Sequence, residues 1–127
     1  MRYISKVVLA VRPNSKDIKK LIETTANLCK FYNANFTLLH VLNNNKNISN
    51  IRKNANSLLT NYKKIATLRI EISEEPTELV SELTAEYDLL ILGTPKQDTW
   101  KSMLFGTGKD KFAINSSCSV LRLTINN

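Results

Sequence analysis

Gly93, Gly106 and Gly108 are the only glycines in the chain, and they fall in one stretch together with Thr94, Lys96, Lys101, Thr107 and Lys109. That set suits the holding of an anion. Glycine lets backbone approach a ligand closely, and Gly106-Thr107-Gly108 stands at the start of a predicted helix over 108–115, whose first amides favour negative charge. Arg12, at the end of an apolar run, adds a cation able to make charge-assisted bonds to phosphate. Catalysis has no comparable support. His40 is the single histidine and lies inside an apolar run, which fits a packed or hydrogen-bonded imidazole. Cys29 and Cys118 lack metal-ligand spacing and read as small buried hydrophobes. No nucleophile–base set can be assembled around one histidine, so the residues point to binding without turnover.

These residues need a frame. Residues 6–11 (KVVLAV) form a continuous apolar run, the pattern of a strand covered on both faces. Apolar residues then recur at helical spacing from Ile18 to Tyr32, with Ser15 the expected N-cap. Residues 36–42 (FTLLHVL) are a second strand, closed by the asparagine cluster 43–47. A second amphipathic helix is expected from Ile48 to Ile65. Residues 67–72 (TLRIEI) alternate, as a strand at or near a sheet edge does. Ser73-Glu74-Glu75-Pro76 marks a helix start, residues 88–92 (DLLIL) form another buried strand, and residues 118–125 (CSVLRLTI) form the last. Strands and helices alternate, and such crossovers are right-handed almost without exception. The expected fold is α/β: a doubly wound five-stranded parallel sheet of order 3-2-1-4-5, with the two most apolar strands side by side. In such sheets ligands bind outside the carboxyl ends of the strands where the winding reverses. Here that point lies between the first and fourth strands, which deliver Arg12 and Gly93 to one corner.

Composition sets the outer bounds. The 127 residues make one domain, 1–127, and 43% hydrophobic with 23% charged residues is an ordinary globular balance. No stretch approaches the ~20 apolar residues of a spanning helix, and the short apolar run near the N-terminus lacks the cleavage site of a signal peptide. A cytoplasmic protein with no membrane insertion is expected. The formal charge of +7 suits an anionic partner. Its cations are dispersed and no recognised nucleic-acid motif accompanies them, so no nucleic-acid partner is expected.

The stretch from Gly93 to Leu121 (GTPKQDTWKSMLFGTGKDKFAINSSCSVL) resembles the carboxy-terminal signature of universal stress proteins. That signature is Gly, two residues, Gly, nine residues, then Gly-Ser or Gly-Thr, with a short helix and a Cys-Pro-Val strand after it. Gly93, Gly106, Thr107, Cys118 and Val120 fall in place, and the opening KVVLAV and the HVL ending of the second strand are similar too. The resemblance implies a Rossmann-like three-layer sandwich of the adenine nucleotide alpha hydrolase kind. It also implies a regulatory, stress-response module that binds or senses an adenine nucleotide such as ATP or AMP, with Mg accompanying ATP. The positions implied for nucleotide binding are Val11, Arg12, Pro13, Asn14, Ser15, Val41, Gly93, Thr94, Lys96, Gly106, Thr107 and Gly108. A homodimer through the last strand (Val120, Leu121, Leu123) is implied as well, with a protein or transporter as a further partner.

Three positions depart from the family pattern. Arg12 stands where ATP-binding members usually carry an acid, Lys96 replaces the second signature glycine, and Glu74 lies where a glycine is often found. Arg12 and Lys96 either bring charge to phosphates or are solvated surface cations. Trp100 either stacks on a base or packs its own loop. A second resemblance is to the universal-stress-like domains of potassium-responsive sensor kinases, which bind cyclic di-AMP. Ser15, Phe36 and Thr37 match their motif, whereas Pro13, Leu38 and His40 do not. Cyclic di-AMP is thus the alternative ligand, and a nucleotide-free protein-interaction module the alternative function.

Overall fold

The computed structural model describes residues 4–93 and 118–123. Within them β1 (Lys6–Ala10), β2 (Asn35–Leu42), β3 (Ala66–Ile72), β4 (Leu89–Gly93) and β5 (Ser119–Leu123) form one sheet in the order β3-β2-β1-β4-β5, every pairing parallel. The helices are α1 (Ile18–Tyr32), α2 (Ile48–Leu58) and α3 (Pro76–Leu83). Because strand side chains alternate between faces, the sheet feeds two cores. Val7, Leu9 and Val11 meet Ile18, Leu21, Ile22 and Cys29 of α1 and Ala55 of α2 on one face. Val8, Ala10, Leu39, Leu90 and Leu92 meet Val80 and Leu83 of α3, with Cys118, on the other. The doubly wound 3-2-1-4-5 sheet read from the sequence is the sheet observed.

β1 and β4, the two most apolar runs, lie side by side, with Ala10 paired to Leu92. Asp88 fixes the start of both: its Oδ2 accepts hydrogen bonds from the Ser5 amide (2.9 Å), the Ser5 hydroxyl (3.0 Å) and the Lys6 amide (2.9 Å). β3 is at the edge, as its alternation implied. Its Arg69 forms an ion pair with Glu71 (2.8 Å) and reaches Glu86 (3.3 Å) and the Tyr87 hydroxyl (3.4 Å), tying the edge to the chain segment after α3.

Two helix boundaries differ from expectation. Ser15 does not cap α1. Its amide donates to the Arg12 carbonyl (3.2 Å) and its carbonyl accepts from Ile18 (3.4 Å), so successive turns carry the chain from β1 to a helix whose N-cap is Asp17. The second helix stops at Leu58, and a 3-10 turn, Thr60–Tyr62, follows. Tyr62 and Ile65 still pack on the same core, so the apolar rhythm outlasts the helix. The expected helix over 108–115 and the loop with Trp100 lie outside the described residues.

Candidate functional site

The loops after β1, β2 and β3 leave the sheet on the same side, at the carboxyl ends of the strands. β1 gives way to the turn 11–14, which is held from below. The Val11 amide donates to the Leu39 carbonyl (3.2 Å), and the Val11 carbonyl accepts from Nδ1–H of His40 (2.7 Å). A carbonyl can only accept, so Nδ1 carries the proton. His40 is buried at 1% exposure, and burial lowers its pKa, with the Val11 bond opposing. The lone histidine thus anchors the turn that carries Arg12.

The loop after β3 is shaped as closely. The Ser73 amide continues the ladder to the Leu42 carbonyl (2.8 Å), and the Ser73 hydroxyl accepts from the Glu75 amide (3.0 Å). Pro76 opens α3, where a missing amide costs nothing. Among the described non-glycine residues only Asn33 and Asn47 have a positive φ. Position 74 therefore has no conformational need for the glycine often found there, and Glu74 fits.

Between these loops lies a cavity of about 420 Å³, within the range of small-molecule sites. Its floor is apolar: Ala10, Leu39, Val41 and Val80. The wall after β1 is Val11, Arg12, Pro13 and Asn14; the β2 end gives Leu42 and Asn43; the opposite wall is Ser73, Glu74 and Pro76. Of the residues named from the sequence, the structure brings Val11, Arg12, Pro13, Asn14 and Val41 around this one cavity. Ser15 is not part of its lining. Gly93 is also set apart, although it follows the Leu92 that pairs with Ala10, so the two chain segments leave the sheet side by side. Thr94, Lys96, Gly106, Thr107 and Gly108 lie outside the described residues.

Gly93 has a packing reason of its own. It is buried, its φ is not in the left-handed region, and a Cβ there would lie 2.6 Å from Cδ1 of Leu21 in α1. The absence of a side chain lets α1 settle on the sheet. The sequence does not single out Ala10, Leu39, Leu42, Asn43, Ser73, Pro76 or Val80 as cavity residues, and marks Glu74 only as a departure. The signal is present in the chain, since 43 and 73–74 follow strand ends as 11–14 do, but the winding reversal points from β1 toward β4 and away from β3.

Among the described residues there is no cluster of three or more His, Cys, Asp or Glu side chains able to hold a metal. No helix among them is long and apolar enough to cross a membrane.

No protein-family model matches the sequence, and no curated protein matches it. Solved structures do match. A universal stress protein in complex with cAMP is 19% identical, with a TM-score of 0.69 over 96% of this chain and 98% of that one. A universal stress protein from Archaeoglobus fulgidus in complex with dAMP is 10% identical, with a TM-score of 0.65 over 95% and 98%. UspA from Lactobacillus plantarum is 14% identical, with a TM-score of 0.52 over 97% and 99%. The chain is a doubly wound α/β protein with a cavity at its strand ends. Its fold is that of the universal stress proteins.

Proposed function

We propose that this chain is a universal stress protein-like regulatory module that binds an adenine nucleotide, with binding rather than turnover as its role. The observation that carries this reading is the cavity of about 420 Å³, apolar at its floor and polar at its rim, with Arg12 on one wall. An apolar floor suits the faces of a base, and a guanidinium suits phosphate oxygens. Two proteins of the same fold hold cAMP and dAMP, which supports an adenine nucleotide as the ligand class. Thr94, Lys96, Gly106, Thr107 and Gly108 remain proposed phosphate contacts, argued from the sequence alone. Magnesium, a hard cation that keeps water and phosphate ligands, would arrive with ATP, because Glu74 is the one carboxylate lining the cavity among the described residues. The proposed assembly is a homodimer through β5 in the cytoplasm, the ligand altering a surface read by a protein or transporter partner.

Thermal unfolding with AMP, ATP and cyclic di-AMP tests the reading. A ligand at about 100-fold above its Kd stabilises the folded state by about 2.7 kcal/mol, so AMP or ATP is expected to raise Tm by several degrees. A response to cyclic di-AMP alone would favour the sensor-kinase-like alternative. No response to any of the three at millimolar concentration would leave a nucleotide-free interaction module.

A further inference from the structure

The two long walls of the cavity carry opposite charge. Arg12 follows β1 and Glu74 follows β3, with β2 between them. Two strand spacings separate the wall bases by about 10 Å. A ligand that presents only acceptors cannot satisfy both walls at once. A ligand with an anion at one end and hydrogen-bond donors at the other can. Glu74 is exposed, and no ion pair or hydrogen bond to its side chain is found among the described residues. The turn through Ser73 and Glu75 and the start of α3 fix its backbone. An ionised carboxylate only accepts, so it repels phosphate and attracts N–H or O–H groups.

We infer that Glu74 is a specificity-determining residue of the cavity, an acceptor that reads the donor groups of a nucleotide at the end remote from its phosphate. This rests on the nucleotide reading above and deepens it. The ligand enters with its phosphate on the Arg12 wall and its base over Ala10, Leu39 and Val80. Its donors, the exocyclic amine of adenine or the ribose hydroxyls, meet Glu74. Both sources present the same chemistry to a carboxylate, and analogues lacking one or the other distinguish them.

The experiment is calorimetric titration of the full chain with AMP, 2′-deoxy-AMP and purine riboside 5′-monophosphate, for the wild type and for Glu74→Ala. The wild type is expected to bind at least one analogue about tenfold more weakly than AMP, the scale of one lost hydrogen bond to a charged group at a solvent-accessible site. The analogue that loses affinity identifies the donor. In Glu74→Ala the gap closes to about twofold or less, while thermal unfolding is unchanged because the side chain is exposed. Equal binding of all three ligands by the wild type overturns the inference. So does a gap that survives in Glu74→Ala, or a uniform loss for all three ligands in that variant, which would mark a structural role. Absence of AMP binding by the wild type sinks the nucleotide reading and this inference together, whereas AMP binding without discrimination sinks this inference alone.

Discussion

Among the described residues, the imidazole of His40 is the titrating group that the fold buries beneath the cavity turn. Burial holds its pKa below the ordinary 6.5, with the bond to the Val11 carbonyl opposing. The unfolded chain therefore takes up a proton at a higher pH than the folded chain does. The stability that follows is full above about 6.5 and falls as pH drops through that value toward the folded pKa. Wild-type Tm is expected to decline between about pH 7.5 and about pH 5.5, a window above the carboxylate range. His40→Asn places its side-chain amide donor where Nδ1 stood but does not titrate, so its profile should be nearly flat there. An equal decline in both proteins would mean that other groups carry the effect. The residue type and its apolar surroundings were legible in the sequence, and a hydrogen-bonded imidazole was expected. Its partner was not, because Val11 is 29 positions away and the pairing exists only once β1 and β2 align.

At the scale of elements, the contact between Gly93 of β4 and Leu21 of α1 sets how closely helix and sheet approach. The Cβ of an alanine at 93 would intrude to 2.6 Å on a leucine that is only 2% exposed, so side chain or helix must shift. Gly93→Ala is expected to cost about 1–3 kcal/mol as an overpacked core does. In a Leu21→Ala background the same change should cost at least about 1 kcal/mol less, since the two sites are in contact and their effects couple. Denaturant unfolding of the four proteins in the cycle measures this, and additive costs would show that the glycine serves something other than packing. β1 and β4 were legible almost to the residue, because burial on both faces writes itself as an unbroken apolar run. Helix ends were read less well. Ser15 carries a capping side chain, yet the turns from Arg12 to Ile18 occupy its backbone, and the Leu59 break in α2 leaves the apolar period intact across a 3-10 turn.

Across the whole molecule, β3 and β5 are the edges of the sheet and they differ. Arg69 and Glu71 place paired charges along β3, which protects an edge from pairing. β5 exposes Val120 and Leu121, each at 36%, with hydrogen-bond pairing to β4 alone among the described strands. An apolar edge of that kind invites a second chain. In sedimentation velocity the wild type is expected at twice the chain mass and Val120→Asp at the monomer mass, with the far-UV circular dichroism spectrum unchanged because the residue is not in the core. A wild-type monomer at all accessible concentrations would refute the proposed dimer.

The sequence by itself determined the class of fold, the strand order and the edge position of β3. All three follow from hydrophobic periodicity, which records how many faces of an element are covered. It also determined that Val11 to Asn14 follow β1 and that Val41 stands near the end of β2. Only the tertiary structure decided which strand ends share a cavity. That depends on where α3 packs across the sheet, and its placement joins Arg12 to Glu74, residues 62 positions apart with no local signal linking them. The charge of each wall was written in the chain, but their opposition across one space is a property of the folded sheet.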